Sequence, residues 1–382
     1  MNTGKLMMSL VADALGIERG EKTYEPLDEA TLSDLYSLSA KHDVAHLVCC
    51  GLEKNSLLPD GSECAMRFRK QKFIAVYRYT QQKAELDALR AYFDESGIEY
   101  MLLKGSVIRD FYPEGWMRVG CDIDILVKDE DIPRAKEVLV SNGYVYEGAE
   151  FHDVHFSSPS GVHLELHHTI VQKLSEVDKI LERPFDYSYS PKESSFERAQ
   201  TPELLYVHFV AHAAHHLLNG GCGVRVFIDL FLMDEKLWQS SDKVDAMLTD
   251  TGIFEFAKYS RNLAAYWLLS AEADETVKTY EKIILSGGLY GNFKNRAALR
   301  ENKEGGFKFI MSRLFLPYDM LKNKYHVLKK HKWLTPVYQV RRWLVLLSPK
   351  RMKRASRELS AVGSVTGEQS REAGALLDKL KI

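Results

Sequence analysis

The sequence contains few cysteines and no CxxC pair. Cys49 and Cys50 are adjacent, whereas Cys64, Cys121 and Cys222 stand alone in a chain of 382 residues. This spacing argues against a disulfide scaffold, a structural zinc ribbon and a thioredoxin-type redox site. Free thiols are typical of a reducing compartment, so we expect a cytoplasmic protein.

The sequence also lacks an excess of one charge and lacks long apolar runs. Its 51 basic residues oppose 53 acidic ones, and this near-neutral balance argues against histone-like wrapping of nucleic acid. No apolar run approaches the ~18 residues that would indicate a transmembrane helix. The run Leu6–Val11 is too short for a signal peptide. The remaining composition, 45% hydrophobic and 27% charged, is that of an ordinary globular protein.

Three regions with different hydrophobic patterns follow one another along the chain. Apolar residues recur at three- and four-residue steps in residues 1–95 and again after residue 170, a spacing typical of helices. Between these regions, strand-like and helix-like segments alternate. We therefore predict an α+β protein in which a small α/β core with a mixed sheet (96–170) is embedded between helical regions (1–95 and 171–382). The predicted elements are strands near 99–104, 122–127, 152–157 and 162–168 and helices near 131–141, 202–218 and 224–238.

Acidic residues alternate with apolar ones in two of the predicted strands. Side chains two apart on a strand share a face, so Asp122 and Asp124 project together. Two adjacent carboxylates repel each other, and a hard cation such as Mg²⁺ relieves this by taking their oxygens as ligands. Glu165, flanked by His163 and His167 on one face of a later strand, would add a third carboxylate and complete a site for two metals. The plain alternative is a solvated, half-exposed strand.

A glycine and a serine mark a predicted strand-to-helix junction. Such a junction favours phosphate, and glycine at position 105 would let the backbone approach it closely. Ser106 follows at the start of the helix. Lys104 and Arg118 flank this junction, and either would neutralise phosphate charge. The alternative for both basic residues is ordinary solvated surface.

The order Gly-Ser, Asp-Ile-Asp-Ile and Leu-Glu-Leu resembles the signature of the nucleotidyltransferase superfamily, which has the DNA polymerase β-like fold. A wider set of sequence segments is similar to those of a family of uncharacterised nucleotidyltransferases, and this similarity runs from about residue 70 to residue 348. The segments that carry it are Met101–Ser106, Tyr112, Arg118, Asp122–Val127, Asn142–Tyr144, Leu164–His167, Tyr206–His212, Val224–Asp229, Leu316–Tyr318 and Leu334–Pro336.

This resemblance implies a Mg²⁺- or Mn²⁺-dependent enzyme that moves NMP from an NTP to an acceptor and releases pyrophosphate. ATP is the first candidate for the NTP, and the acceptor is left open among protein, sugar, small molecule and RNA. The alternatives are a catalytically idle binding or scaffold protein and a phosphohydrolase that uses a histidine-rich helix. The resemblance assigns catalysis and metal binding to Asp122, Asp124 and Glu165, and binding of the triphosphate to Gly105 and Ser106. Lys104 and Arg118, which flank these residues, complete the predicted nucleotide-binding set.

Four histidines cluster on the predicted helix 202–218. His208, His212 and His215 lie on one face at helical spacing, with His216 beside them. Two histidines four residues apart can share a zinc ion, but neither the HExxH glutamate nor a nearby cysteine is present. The favoured interpretation is a polar helix face packed against the core, and a lining for the substrate is the third possibility.

Residues 321–354 contain eleven Lys or Arg and no Asp or Glu, and they are interleaved with Tyr325, Trp333, Tyr338 and Trp343. This pattern fits a polyanion-binding surface. It also fits a peripheral membrane face with Trp343–Leu347 on the apolar side. The plain alternative is a basic helical face that balances acidic residues elsewhere.

Overall fold

The computed structural model describes residues 2–20, 23–149, 152–172, 174–289, 327–346 and 365–382, with single residues and short stretches between 291 and 325. Within these residues no helix combines the length and the hydropathy that a bilayer-spanning segment needs.

Helices precede and follow a sheet along the chain. The N-terminal helices are α1 (Thr3–Ala14), α2 (Glu29–Lys41), α3 (Ala45–Lys54) and the long α4 (Glu63–Glu95), and the short helices beside the sheet are α5 (Gly105–Ile108), α6 (Ile132–Ser141) and α7 (Ser175–Leu181). The later helices are α8 (Pro202–Leu218), α9 (Arg225–Leu237), α10 (Ser241–Asp250), α11 (Phe254–Leu268), α12 (Glu275–Ser286), α13 (Val327–Lys330), α14 (Thr335–Leu346) and α15 (Gly367–Leu380).

The described strands form one mixed sheet. They are β1 (Tyr100–Leu102), β2 (Asp122–Val127), β3 (Val145–Ala149), β4 (Asp153–Ser157), β5 (His163–His167), β6 (Ser188–Tyr189) and β7 (Glu197–Gln200), in the spatial order β3-β4-β5-β2-β1-β7-β6. β2 pairs in parallel with β5 and antiparallel with β1, while β4 and β5 form an antiparallel hairpin. Helices around a mixed sheet confirm the predicted α+β class.

The sheet separates an apolar face from a polar one. Along β2, Ile123 and Ile125 are buried against α4 and α6, in a core that includes Leu89 of α4 and Leu139 of α6. On the opposite face of the same strand Asp122 and Asp124 are only partly buried, whereas Leu126 is buried in a second core. This alternation leaves acidic side chains together on the opposite face.

Several boundaries follow local sequence rules, whereas three strands do not. Thr201 caps α8 by accepting a hydrogen bond from the Leu204 amide, with Pro202 at the first helical position. Sequence analysis missed β3, β6 and β7. Most residues of β3 are exposed, and β6 and β7 have two and four residues, so none of them shows the alternation that identifies a strand.

Candidate functional site

The central feature of the polar face is a pair of carboxylates on neighbouring strands. Asp124 and Glu165 are register partners in the parallel β2–β5 ladder, so both side chains emerge side by side. Their oxygens and a ring nitrogen of His167 all lie within 4.8 Å of one another. The side chains of Asp124 and Glu165 are 14% and 24% exposed. Two carboxylates and an imidazole therefore converge at a partly buried position.

His167 balances the charge of this pair. Its Nε2 lies 3.2 Å from Asp124 Oδ1 and 3.4 Å from Glu165 Oε2. Burial opposes the charged ring, but the hydrogen bonds with Asp124 and Glu165 prevail and raise the pKa of His167 to about 9. Burial also opposes the charged form of Asp124 and would raise its pKa. Lys104 and His167 instead hold this pKa below its usual range. The site thus favours ionised Asp124 beside a protonated imidazole.

Asp122 lies two residues before Asp124, on the same face of β2. Its register partner on β5 is His163, and it is outside the 4.8 Å group that Asp124, Glu165 and His167 form within the described residues. Burial, and then the charges of Asp124 and Glu165, raise the pKa of Asp122. Of the three predicted carboxylates, those of Asp124 and Glu165 lie together. Their charges act on the third, Asp122, from the next position on the same face of β2.

The Gly-Ser junction forms a tight turn into α5. The Ser106 amide donates to Leu103 O (3.1 Å) and the Val107 amide donates to Lys104 O (3.0 Å). These two amides are therefore engaged within the turn and are not free to bind a phosphate. The Ser106 hydroxyl is different, since it is buried without a hydrogen-bond partner in the described part of the chain. It is the donor that this turn offers.

Lys104 adopts a backbone conformation that is unusual for a lysine. Its φ is +37°, in the region that favours glycine. Among the described residues it forms no ion pair within 4.0 Å, yet its charge lowers the pKa values of Asp122 and Asp124 and, on α8, of His212 and His216. The charge of Lys104 therefore acts on both the carboxylates and the histidine-rich helix.

Arg118 is buried rather than solvated. Its Nε and Nη2 donate to Asp229 Oδ1 and Oδ2 of α9 at 3.0 and 2.9 Å, and the Tyr112 hydroxyl donates to Oδ1 at 2.8 Å. Burial would lower the pKa of Arg118, but Asp229 and Tyr112 raise it. Nη1 lies 2.6 Å from the position of a Cβ at Gly105. A side chain at 105 would therefore require the guanidinium to shift from its pairing with Asp229.

A hydrogen-bonded chain joins α4 to the site. Gln82 Nε2 donates to the carbonyl oxygens of Gly120 (3.1 Å) and Asp122 (3.4 Å), and its Oε1 accepts from Arg109 Nη2 (3.1 Å). Arg109 Nε in turn donates to Gly105 O (3.1 Å). These bonds couple the start of β2 to the start of α5.

The histidines of α8 contact other parts of the protein. His208 is 1% exposed and approaches Gln200, while His212 and His215 approach the side chain and the carbonyl oxygen of Gln172. His212 Nε2 also lies 2.8 Å from His216 Nε2. These contacts fit the favoured interpretation of a polar helix face packed against neighbouring segments.

The basic stretch 321–354 lies only partly within the described residues, and 347–354 fall outside them. Trp343 stacks edge-on against Phe315. The exposed large apolar side chains in the described part of this stretch are instead Val327, Trp333, Val337, Val340 and Leu344. Contact of this stretch with a polyanion stays a prediction.

Sequence analysis missed three residues near the site. Asp153 and His155 lie beside Glu165 and His167 because β4 and β5 form a hairpin. The signal was present, since counting outward from the Ser158–Gly161 turn pairs His155 with Glu165. Asp229 ends one of the segments that carry the family resemblance, but no local pattern paired it with Arg118, 111 residues away.

The fold and the site define a class of protein. A mixed sheet with acidic side chains on neighbouring strands, next to a Gly-Ser turn that opens a short helix, has the features expected of a nucleotidyltransferase. A family model described as uncharacterised nucleotidyltransferase matches residues 28–269, more than half of the chain, and the chain belongs to this family. The resemblance inferred from the motifs is confirmed. No curated protein and no solved structure matches the chain.

Proposed function

We propose that the protein is a divalent-metal-dependent nucleotidyltransferase that moves NMP from an NTP to an acceptor hydroxyl. The observation that carries this proposal is the register pairing of Asp124 with Glu165 beside Lys104 and the unpartnered Ser106 hydroxyl. It joins a cluster of carboxylates to a cation and a hydroxyl donor suited to phosphate. Membership of the nucleotidyltransferase family supports the same reaction class.

The donor set fits a hard divalent cation. Asp124 and Glu165 would hold Mg²⁺ or Mn²⁺ through carboxylate oxygens, and Asp122 would contribute from the adjacent strand position. The pKa of Asp122 is raised by burial and then by Asp124 and Glu165, although Lys104 opposes this, as crowding of carboxylates would produce. When bound, the cation would neutralise phosphate charge.

The chain's own residues supply positioning, charge and a proton acceptor. The Ser106 hydroxyl would donate to the triphosphate, and Lys104 would neutralise it. An acceptor hydroxyl oxygen would attack the α-phosphorus while the bond from that phosphorus to the β-phosphate oxygen breaks and pyrophosphate leaves. The hydroxyl proton would pass to a carboxylate, for which Glu165 is the candidate base. Arg118 is paired with Asp229, so its role would be to hold the Gly105 turn in place.

The nucleotide and the acceptor belong to this proposal as well. We propose ATP as the first NTP to test and the helical regions on either side of the sheet as the acceptor-binding surfaces. Protein, sugar, small-molecule and RNA acceptors all present the required hydroxyl group.

The test is mass spectrometry after incubation of the full-length protein with each NTP, Mg²⁺ or Mn²⁺, and candidate acceptors. We expect an acceptor, or the protein itself, to gain the mass of one NMP. Asp124→Asn should abolish the gain, because it keeps the shape and removes a ligand charge. Glu165→Gln should remove most of it.

Asp60→Asn is the matched control, since Asp60 is fully exposed and lies outside the site. It should retain full transfer. If no NTP yields a mass gain and no NTP–metal mixture raises the melting temperature of the wild type, the idle scaffold becomes the better description.

A further inference from the structure

A second convergence of potential metal ligands lies on the same face of the sheet. His155 Nδ1 is 3.3 Å from His163 Nε2, and these two nitrogens lie 3.8 and 3.7 Å from Glu165 Oε1. His155 comes from β4, and the other two residues come from β5. All three side chains are partly exposed, so the cluster is open to ions from solution.

The spacing of these three atoms approaches that of ligands around zinc. At metal–ligand distances of ~2.0–2.2 Å, the corners of a tetrahedron lie ~3.3–3.6 Å apart. The observed separations of 3.3, 3.7 and 3.8 Å need only small side-chain movements to meet this geometry. Two imidazoles and one carboxylate occupy three corners and leave the fourth open, as in zinc sites that bind water or a substrate.

Both histidines also have a carboxylate at the ring nitrogen that faces away from the cluster. His155 Nε2 lies 3.0 Å from Asp153 Oδ1, and His163 Nδ1 lies 3.4 Å from Glu147 Oε2. The first approach is close but not aligned as a hydrogen bond. Metal-binding histidines usually direct their second nitrogen at such a group, which fixes the tautomer and raises the basicity of the ligand nitrogen.

The competing explanation is a hydrogen bond between two neutral histidines. It accounts for the 3.3 Å contact if one ring is the donor and the other the acceptor. It does not account for the carboxylates at both outer nitrogens or for the approach of Glu165 Oε1 to both rings. A cation bound between the two rings and Glu165 would use all of these groups together.

Glu165 belongs to both clusters through different oxygens. Its Oε1 is directed towards His155 and His163, whereas its Oε2 lies 3.4 Å from His167 Nε2, on the Asp124 side. One carboxylate can therefore serve two adjacent cation positions. The position between His155, His163 and Glu165 Oε1 is the one with nitrogen ligands. Imidazole nitrogen suits zinc and other transition metals better than it suits magnesium.

We propose that His155, His163 and Glu165 form a transition-metal site, with Zn²⁺ as the expected ion, next to the carboxylates assigned to nucleotidyl transfer. This site does not require the proposed transfer activity. Occupation of the site would fix the orientation of Glu165.

The test is titration of the chelator-stripped, full-length protein with Zn²⁺ alone, in millimolar Mg²⁺ and without nucleotide, read by a zinc-chelating dye in competition. We expect one high-affinity Zn²⁺ per chain. His155→Gln and His163→Gln should each weaken binding by roughly 100-fold, and Glu147→Gln, which removes an outer partner, by roughly tenfold. Glu147 is about half exposed, so this last variant is not expected to disturb folding.

Two variants locate the ion. His168→Gln, at the end of β5 beside Asp129, and Asp124→Asn should both keep the wild-type zinc affinity. The proposal is wrong if stripped wild-type protein binds no Zn²⁺ at micromolar concentration. It is equally wrong if Asp124→Asn removes the zinc while both His155→Gln and His163→Gln retain it.

Discussion

Lys104 shows, at the scale of one residue, a conflict between backbone strain and charge placement. A non-glycine residue in this backbone region costs on the order of 1 kcal/mol or more and persists only where the surrounding structure holds it. The charge held there acts on both Asp122 and Asp124. Glycine would suit the backbone better, but it would remove the cation proposed to neutralise the triphosphate.

We therefore expect Lys104→Gly to be more stable than Lys104→Met by about 1 kcal/mol, because only the glycine variant relieves the strain. Both variants lack the ammonium group, so both should lose NMP transfer. Urea unfolding and the mass assay measure the two properties. Equal stability of the two variants, or transfer that survives in either, would contradict this assignment.

Residue identities in the motifs were predictable, but their environments were not. The alternation of acidic and apolar residues placed Asp122 and Asp124 on one face of β2. The same reasoning treated Arg118 as a flanking charge. Its burial depends on α9, which supplies Asp229, and no local pattern reports a partner so distant in the chain.

At the scale of elements, the site depends on which strands become neighbours. Local alternation predicted β2, β4 and β5, and the turn before β5 fixed the hairpin register. Asp124 faces Glu165 because β5 pairs in parallel with β2, between β4 and β2. Sequence alternation fixes the face of a residue but not the order of the strands. The alternation of acidic and apolar residues alone therefore did not predict that Asp124 and Glu165 lie together, whereas the family resemblance did.

The Arg118–Asp229 pair joins α9 to the turn before β2, and breaking it should be costly. Asp229→Asn removes the charge that compensates a buried guanidinium, since the side chains of Arg118 and Asp229 are only 8% and 1% exposed. We expect a loss of about 3 kcal/mol in the free energy of unfolding.

Asp87→Asn is the control for this variant, because Asp87 forms exposed ion pairs with Lys83 and Arg90 on α4. It should change the unfolding free energy by less than about 0.5 kcal/mol. Denaturant unfolding measures both variants. Similar losses in unfolding free energy would mean that the buried ion pair contributes no more to stability than the exposed ones.

At the scale of the whole molecule, the segment that the family model matches includes helices that precede the sheet in the chain and helices that follow it. The match over residues 28–269 begins at α2 and ends after α11, so it includes the elements that supply Gln82 and Asp229. The division into regions at 95 and 170 stays a prediction. β6 and β7 pair with the sheet from beyond the second boundary, so the structural unit extends past residue 170.

Buried histidines should make the molecule sensitive to acid. His42 is fully buried between α2 and the end of α12, and burial lowers its pKa to about 4, against 6.5 for a free side chain. Because the folded pKa is the lower one, unfolded chains bind the proton first as pH falls below 6.5. Stability is therefore full above that pH and declines towards pH 4.

We expect His42→Gln to reduce the difference in unfolding free energy between pH 7.5 and pH 5 by about 2 kcal/mol. Denaturant unfolding at the two pH values measures this difference. His331→Gln, at an exposed position, is the control and should leave it unchanged. An unaltered pH difference in His42→Gln would show that other groups cause the acid sensitivity.

The pairing of Arg118 with Asp229 also sets an order of events during synthesis. The two residues are separated by 111 positions. At translation rates of roughly 5–20 residues per second, the ribosome adds the aspartate roughly 6–20 s after the arginine. Both acidic strands are completed within that interval, but the Arg118 that lies against Gly105 still lacks its partner Asp229. A growing polypeptide therefore cannot complete the proposed nucleotide site until α9 has been made, and a fragment that ends before α9 carries the motifs without Asp229.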